Sequence, residues 1–205
     1  MNLPNKLTIL RILLVPVFML IIVPIPQWII DLSFLSSISP QLTAINDFIN
    51  NYGNYVAALI FIIASSTDAL DGYIARKTQQ ITNFGKFLDP IADKLLVTAA
   101  LIALVERGDL STWVAVIIIA REFMITGLRL VAASEGIVIA ASKWGKIKTI
   151  TQMIAIITML FENYPIRWLC DFPFAGVFMF LAVIATIYSA YDYIVKNAKV
   201  LDHKS

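Results

Sequence analysis

Long apolar stretches alternate with short polar ones along most of this chain. Six of the apolar stretches have roughly the 20 residues that a helix needs to cross a bilayer. Because non-helical backbone cannot face lipid, the pattern predicts an all-α integral membrane protein, with one membrane domain over residues 1–205. The predicted transmembrane helices lie at about 8–27, 53–76, 85–106, 110–133, 145–162 and 174–195.

Two of the connections carry information about the fold. The second and third apolar stretches are joined by the short polar sequence KTQQITNF, which predicts an antiparallel helix hairpin. The stretch 27–52, between the first and second, is mixed and rich in turn-forming residues, so it can hold a short interfacial helix. We assign no function to this loop or to the tail after residue 196.

The composition supports a membrane protein and excludes other classes. Hydrophobic residues make up 59% of the chain, charged residues make up 15%, and the mean hydropathy is +0.80. These values are typical of an integral membrane protein rather than of a soluble domain. The net charge of +2 is too small to favour a nucleic-acid partner. Cys170 is the only cysteine, so a disulfide within the chain is excluded.

The distribution of lysine and arginine predicts the orientation in the membrane. If the N-terminus is cytoplasmic, the outer side keeps only Arg107 and Arg167 among the basic residues outside the spans. Positive charge concentrates on the cytoplasmic side of membrane proteins, so we expect both termini and the hairpin loop to be cytoplasmic. The basic residues of that side are Lys6, Arg11, Arg76, Lys77, Lys86, Arg129, Lys143, Lys146, Lys148, Lys196, Lys199 and Lys204.

Four aspartates lie in the predicted hairpin, where apolar helix surrounds them. Asp68 and Asp71 end the second span, and Asp89 and Asp93 begin the third. A charged side chain at bilayer depth costs roughly 2.5–3.5 kcal/mol, so the four carboxylates need compensating charge. Helical spacing places each pair on one face of its helix, together with the small residues Gly72, Ala75 and Gly85.

Divalent cations are the favoured source of that charge. Carboxylate oxygens suit Mg²⁺, with Mn²⁺ as the alternative, whereas zinc usually recruits histidine or cysteine. Two divalent ions balance four carboxylates, and such a pair assists displacement at phosphorus. The alternative is an ion-pair network in which Arg76, Lys86, Lys94 and Arg121 neutralise the acids.

The pattern D-x₂-D-G-x₂-A-R-x₈-G-x₃-D-x₃-D resembles the signature of the CDP-alcohol phosphatidyltransferases at every fixed position. The resemblance implies a multi-pass enzyme of the bacterial cell membrane, usually a homodimer, that moves a phosphatidyl group from CDP-diacylglycerol to an alcohol and releases CMP. It further implies that Asp68, Asp71 and Asp89 hold two Mg²⁺ ions, and that Asp93 completes the metal site and acts as the base. The residues implied to line the CDP pocket are Gly72, Ala75, Arg76 and Gly85.

Two further segments resemble the branch of this family that uses glycerol 3-phosphate as the acceptor. The opening NLPNKLTILRILLVP places Asn5, Thr8 and Arg11 on one helical stripe, which we interpret as donors to the nucleotide. The segment from Arg121 to Met153 brings basic residues to the cytoplasmic mouth, where they can bind the dianionic phosphate of the acceptor. Those basic residues are Arg121, Arg129, Lys143, Lys146 and Lys148.

Two alternative functions stay open at this point. One is a sibling enzyme with another acceptor, because a basic cluster does not distinguish glycerol phosphate from inositol phosphate, although it argues against serine. The other is a cation-coupled or proton-coupled transporter that uses the acids as its ion site. A transporter would need a path to the outer face, and the outer halves of the predicted helices are unbroken apolar sequence.

Overall fold

The fold is described from a computed structural model of the chain. The description covers the backbone of residues 3–78, 83–134, 136, 139, 142–163 and 172–197, and side chains over the same ranges except 3–5, 68–90, 93 and 134. Within these ranges the secondary structure is helical and contains no strand. The α-helices are α1 (Leu3–Ile22), α2 (Gln27–Ile30), α3 (Ser39–Phe48), α4 (Asn54–Thr78), α5 (Asn83–Glu106), α6 (Thr112–Ser134), α7 (Lys143–Leu160) and α8 (Phe174–Lys196).

The five long helices α4 to α8 match their predicted apolar stretches to within about two residues, whereas α1 begins and ends five residues earlier than the predicted 8–27. Among the described residues, two helical segments are long and apolar enough to cross a membrane, Ser39–Thr67 and Phe174–Lys196. The all-α prediction is therefore confirmed, and the six-span topology stays a prediction. The stretch 27–52 contains two short helices, α2 and α3, where the sequence allowed one.

The stretch 27–52 joins α4 without a break in the helix. A π-turn over Ile49–Gly53 links α3 to α4, so one helical stretch runs from Ser39 to Thr78. The loop is also attached to the end of α1, because the side-chain amide of Asn46 accepts a hydrogen bond from Ile25 N at 2.7 Å and donates one to Ile25 O at 2.8 Å. These two bonds fix the direction in which the chain leaves α1.

The chain divides into two compact units, of which the first comprises residues 1–108. In this unit α1 packs against both α4 and α5. Phe18 and Phe61 form the centre of the α1–α4 contact, with ring centroids 6.4 Å apart. Buried alanines on α4 give α1 a close approach, since small residues let helix backbones come together. Arg107 donates a hydrogen bond from Nη1 to Ile22 O at 3.2 Å and so binds the carboxyl end of α1.

The second unit comprises residues 109–205, and in it α8 packs against α6 and α7. Asn163 connects α7 to α8. Its backbone N–H bonds to Thr158 O at 3.1 Å beyond the end of α7, and its Oδ1 accepts from Ala175 N at 2.7 Å in the first turn of α8. The side chain therefore satisfies a backbone donor that the start of α8 would otherwise leave free.

The surface of α8 reverses the usual arrangement of a soluble helix. Apart from Met179, its buried positions are small or polar, such as Ala182, Thr186 and Ser189, while Phe180 and Ile187 are exposed. A large exposed apolar surface around a polar interior indicates a helix that meets lipid rather than water. Together with the two candidate spans, this surface indicates association with a membrane.

Candidate active site

The aspartate motif lies on two consecutive helices that contact each other. Its first half, Asp68 to Arg76, belongs to α4, and its second half, Gly85 to Asp93, belongs to α5. The prediction that both halves are helical is thus confirmed. The side chains of all eight motif residues lie outside the described part of the chain, so their contacts with one another stay predicted. The described side chains include no group of three or more acidic, histidine or cysteine residues that could hold a metal ion.

Helix α1 places an arginine beside the start of the motif. Arg11 is 1% exposed, and its Nε donates a hydrogen bond to Ala64 O at 3.2 Å. Thr67 donates its hydroxyl to the same carbonyl at 2.7 Å. Ala64 lies one helical turn before Asp68, so Arg11 contacts α4 directly ahead of the aspartates. Thr8, one turn earlier on α1, is fully buried. The side chain of Asn5 lies outside the described residues.

Three of the five predicted acceptor-binding residues belong to an ionic cluster between α6, α7 and α8. Arg121 donates from Nη2 to Ser189 Oγ at 2.5 Å, and its Nη1 lies 3.5 Å from Glu122 Oε1. Lys148 forms an ion pair with the same oxygen of Glu122 and is only 3% exposed. Glu122 therefore binds a cation from its own helix and one from α7. Arg121 and Glu122 are neighbours in the chain, whereas the pair with Lys148 joins α6 to α7.

The third cationic member of the cluster is Arg129, two turns further along α6. Its Nε donates to the hydroxyl of Tyr193 at 2.7 Å, and its guanidinium carbon lies 5.4 Å from the centre of that ring. Ser189 and Tyr193, which bind Arg121 and Arg129, lie one helical turn apart on α8, so the two arginines bind neighbouring positions of that helix. Lys143 and Lys146 are exposed at the start of α7, where Ser142 caps the helix by accepting from Gly145 N at 3.0 Å.

The described side chains of this cluster carry more positive than negative charge. Arg121, Arg129 and Lys148 contribute three positive charges and Glu122 contributes one negative charge, which leaves a net charge of about +2 at neutral pH. Neighbouring like charges repel each other, so an arrangement with an excess of positive charge is suited to binding an anion. Guanidinium groups bind phosphate oxygens through directed, charge-assisted hydrogen bonds.

Four polar residues of this unit were not identified from the sequence. Ser189 and Tyr193 contact the arginines, and Thr186 and Gln152 are buried nearby on α8 and α7. In the part of the chain that is described, the Gln152 amide atoms and the Thr186 hydroxyl have no hydrogen-bond partner. The sequence contains a pattern that could have identified three of them, because Thr186, Ser189 and Tyr193 are spaced so that they lie on one face of an otherwise apolar helix.

Comparisons with known proteins agree with this architecture. The family model for CDP-alcohol phosphatidyltransferase matches residues 1–188. A Bacillus subtilis protein named CDP-diacylglycerol–glycerol-3-phosphate 3-phosphatidyltransferase is 46% identical over 200 residues, covering 98% of this chain and 97% of its own length. Proteins of the same name from Escherichia coli K12 and Rickettsia typhi are 36% and 34% identical. The first comparison covers 98% of both chains and the second 94% of both.

Proposed function

The chain belongs to the CDP-alcohol phosphatidyltransferase family, and from this premise we propose that it transfers the phosphatidyl group of CDP-diacylglycerol to glycerol 3-phosphate. The products are phosphatidylglycerophosphate and CMP, and the reaction serves phospholipid synthesis. Relatives that align over nearly the whole chain carry this activity in their names. The observation on the structure that carries the proposal is the cationic cluster of the second unit, in which Lys148 is buried, Arg121 is half-buried and Arg129 is exposed.

The cluster matches the charge of the proposed acceptor. The phosphate of glycerol 3-phosphate carries a charge of about −1.5 to −2 at neutral pH, as other phosphate monoesters do. Arg121, Arg129, Lys148 and Glu122 together carry a net charge of about +2, so binding the acceptor would neutralise them. We assign Arg121 and Arg129 to the phosphate, with Lys148 completing the positive field. Lys143 and Lys146 are exposed and would attract the anion as it approaches.

The nucleotide would bind to the first unit. Arg11 and Thr8 are buried against α4 at the start of the aspartate motif. We propose that Asn5, Thr8 and Arg11 contact the CDP group from α1, and that Arg76 meets its negative charge from α4. Gly72, Ala75 and Gly85 lack bulky side chains, so they would leave room for the cytidine and for close approach of the two helices.

The aspartates would hold the metal ions on which enzymes of this family generally depend. The donor set fits such ions, because four carboxylates on two contacting helices supply only hard oxygen ligands. We propose Asp68, Asp71, Asp89 and Asp93 as ligands of two Mg²⁺ ions, for which Mn²⁺ can substitute. When bound, the ions would neutralise the pyrophosphate and stabilise the departing CMP.

The residues of the chain would then perform the transfer itself. The acceptor hydroxyl forms a bond to the phosphorus that carries the diacylglycerol, and the bond from that phosphorus to CMP breaks. The carboxylate of Asp93 accepts the proton of the hydroxyl as the new bond forms. Arg121 and Arg129 hold the acceptor by its own phosphate, so that the hydroxyl is held in place and the phosphate remains unreacted.

The proposal includes an arrangement in the membrane. We propose that the six long helices all cross the bilayer, that both termini are cytoplasmic and that the protein is a homodimer. The excess of lysine and arginine on one side of the predicted topology supports this orientation. The aspartate helices and the cationic cluster would then both open to the cytoplasm, where the acceptor is dissolved. Cysteine labelling from each side of intact cells would test the topology.

A panel of acceptors tests the function directly. Purified protein in detergent is supplied with CDP-diacylglycerol labelled in the cytidine and with glycerol 3-phosphate, inositol phosphate, serine or no acceptor. We expect CMP release to depend on glycerol 3-phosphate. Release that responds only to inositol phosphate or serine would identify a sibling enzyme, and release with none of the three would overturn the transferase assignment. Family membership already argues against the transporter alternative.

A further inference from the structure

Two hydroxyl groups on α8 each bind an arginine of α6. Ser189 accepts from Arg121 at 2.5 Å, and Tyr193 accepts from Arg129 at 2.7 Å. Ser189 is fully buried and Tyr193 is 2% exposed, so neither hydroxyl is exchanging freely with solvent. The hydroxyls are four residues apart and therefore lie on the same face of α8, one turn from each other. This face of α8 forms a polar edge along α6.

The bonds to α8 restrain side chains that would otherwise move. An arginine side chain carries about 2 kcal/mol of rotamer entropy, and two like charges at short range tend to separate. Arg121 and Arg129 carry like charges, yet each is bound at its guanidinium to a fixed neighbour. A guanidinium has five N–H donors, and one bond to a hydroxyl leaves most of them for a ligand.

Arg121 retains a donor that the described residues do not satisfy. Its Nε is buried and has no hydrogen-bond partner within the described part of the chain. Glu122 and Ser189 contact the two terminal nitrogens of the same guanidinium, so the plane of the group is fixed from two sides. A buried unsatisfied donor on a fixed cation is a costly arrangement that an anionic oxygen would relieve.

We propose that Ser189 and Tyr193 are positioning residues for acceptor binding, which hold Arg121 and Arg129 in place before the acceptor arrives. This role rests on the proposed function and adds to it two residues on α8. Holding the guanidinium groups in advance removes the ordering cost that the acceptor would otherwise have to overcome. The hydroxyls act through the arginines, so their removal weakens acceptor binding without affecting the nucleotide substrate.

The test replaces each hydroxyl and separates the two substrates. Tyr193→Phe keeps the ring and removes only the hydroxyl, and Ser189→Ala does the same for the smaller side chain. Tyr191→Phe is the matched control, because it makes the same change two residues away at a side chain that is exposed. CMP release is measured at increasing glycerol 3-phosphate with saturating CDP-diacylglycerol. It is then measured at increasing CDP-diacylglycerol with saturating glycerol 3-phosphate.

We expect Tyr193→Phe and Ser189→Ala each to raise the KM for glycerol 3-phosphate about 5-fold or more, as loss of a hydrogen bond to a charged group predicts. The KM for CDP-diacylglycerol should stay within about 2-fold of wild type, and Tyr191→Phe should behave as wild type. In an Arg129→Ala background, Tyr193→Phe should have no further effect, because its action passes through that arginine.

Three results would overturn the proposal. An unchanged KM for glycerol 3-phosphate in both hydroxyl variants would do so, as would equal increases in both KM values, which indicate a general loss of structure. A full additional effect of Tyr193→Phe without Arg129 would also exclude positioning through that arginine. If the wild-type protein released no CMP with glycerol 3-phosphate, the proposed function would fail and this proposal with it. If the wild-type protein is active and the hydroxyl variants keep its KM values, the positioning roles are rejected and the proposed function stands.

Discussion

The backbone of Gly53 packs directly against the carbonyl oxygen of Ile21. A Cβ atom placed on Gly53 would lie 2.5 Å from that oxygen, a separation that real Cβ atoms do not reach. Because the obstruction is backbone rather than a flexible side chain, either α1 or the π-turn would have to move. The contact between the end of α1 and the beginning of α4 therefore depends on the missing side chain at this position.

Gly53→Ala should destabilise the protein by about 1–3 kcal/mol, as expected when an extra carbon is forced into a packed contact. Thermal unfolding in detergent would measure the loss. Gly127→Ala is the control, since it lies within α6 and a Cβ there would meet nothing within 4 Å. That change should be neutral or should stabilise by up to about 1 kcal/mol, because glycine weakens a helix. Equal melting temperatures for the two variants would contradict the predicted clash.

The metal prediction concerns Asp68, Asp71 and Asp89. Replacing any one of them with asparagine should abolish CMP release, because the carboxylate charge that binds divalent ions is lost. Treatment of the wild-type protein with EDTA should have the same effect, and adding Mg²⁺ should reverse it. Asp31→Asn provides the control, since Asp31 lies between α1 and α4, away from the motif in sequence, and its described side-chain hydrogen bond is one that it accepts from Gln27. Full turnover in EDTA, or a wild-type rate for Asp89→Asn, would exclude the two-metal site.

Asp93 is predicted to act as the general base. Asp93→Asn should lower kcat by roughly 10²–10⁴-fold, with a smaller effect on substrate binding, because a base acts in the transition state. Asp93 is also a proposed metal ligand, so metal content and CDP-diacylglycerol affinity must be measured on the same variant. Near-normal kcat with both metals bound would refute the role as base. Loss of turnover with metals and affinity retained would support it.

The cationic cluster makes a prediction about acceptor affinity. Neutralising Arg121, Lys146 or Lys148 should raise the KM for glycerol 3-phosphate more than that for CDP-diacylglycerol. Loss of one charge-assisted contact costs about 1.5–3 kcal/mol, which corresponds to roughly 10–150-fold. Lys196→Ala is the control, because Lys196 is an exposed residue already paired with Asp192 at 2.6 Å. Unaltered KM values in all three variants would place the phosphate pocket elsewhere.

Lys148 has a second predicted effect, on stability. Lys148→Met would leave the Glu122 carboxylate without its cation from α7, and breaking a buried pair in this way costs about 3–5 kcal/mol. Adding Glu122→Gln to that variant should recover much of the loss, because the carboxylate that lost its cation from α7 is then replaced by a neutral amide. Chemical or thermal unfolding of the single and double variants would measure both the loss of stability and its recovery. A double variant less stable than Lys148→Met would show that the pair is not the reason for the burial of Lys148.

The sequence predicted the long helices closely and the contacts between them poorly. The helix bounds follow from apolar stretches whose lengths match a bilayer, and the Arg121–Glu122 pair follows from adjacency in the chain. The Lys148–Glu122 pair and the bonds from Ser189 and Tyr193 depend on how each helix is rotated about its axis. That rotation is weakly encoded when apolar residues occupy both the lipid-facing and the buried sides of a helix.

The π-turn between α3 and α4 affects which deletions the protein can tolerate during evolution. A π-turn accommodates one more residue than an α-helical turn, so the helices on either side keep their facing. Loss of a single residue within Ile49–Gly53 would restore a regular turn and leave α4 in its present orientation. Loss of one residue from the middle of α4 would instead rotate everything after it by about 100°, aspartates included. The joint is therefore a place where insertions and deletions can accumulate during evolution without turning the motif away from α5.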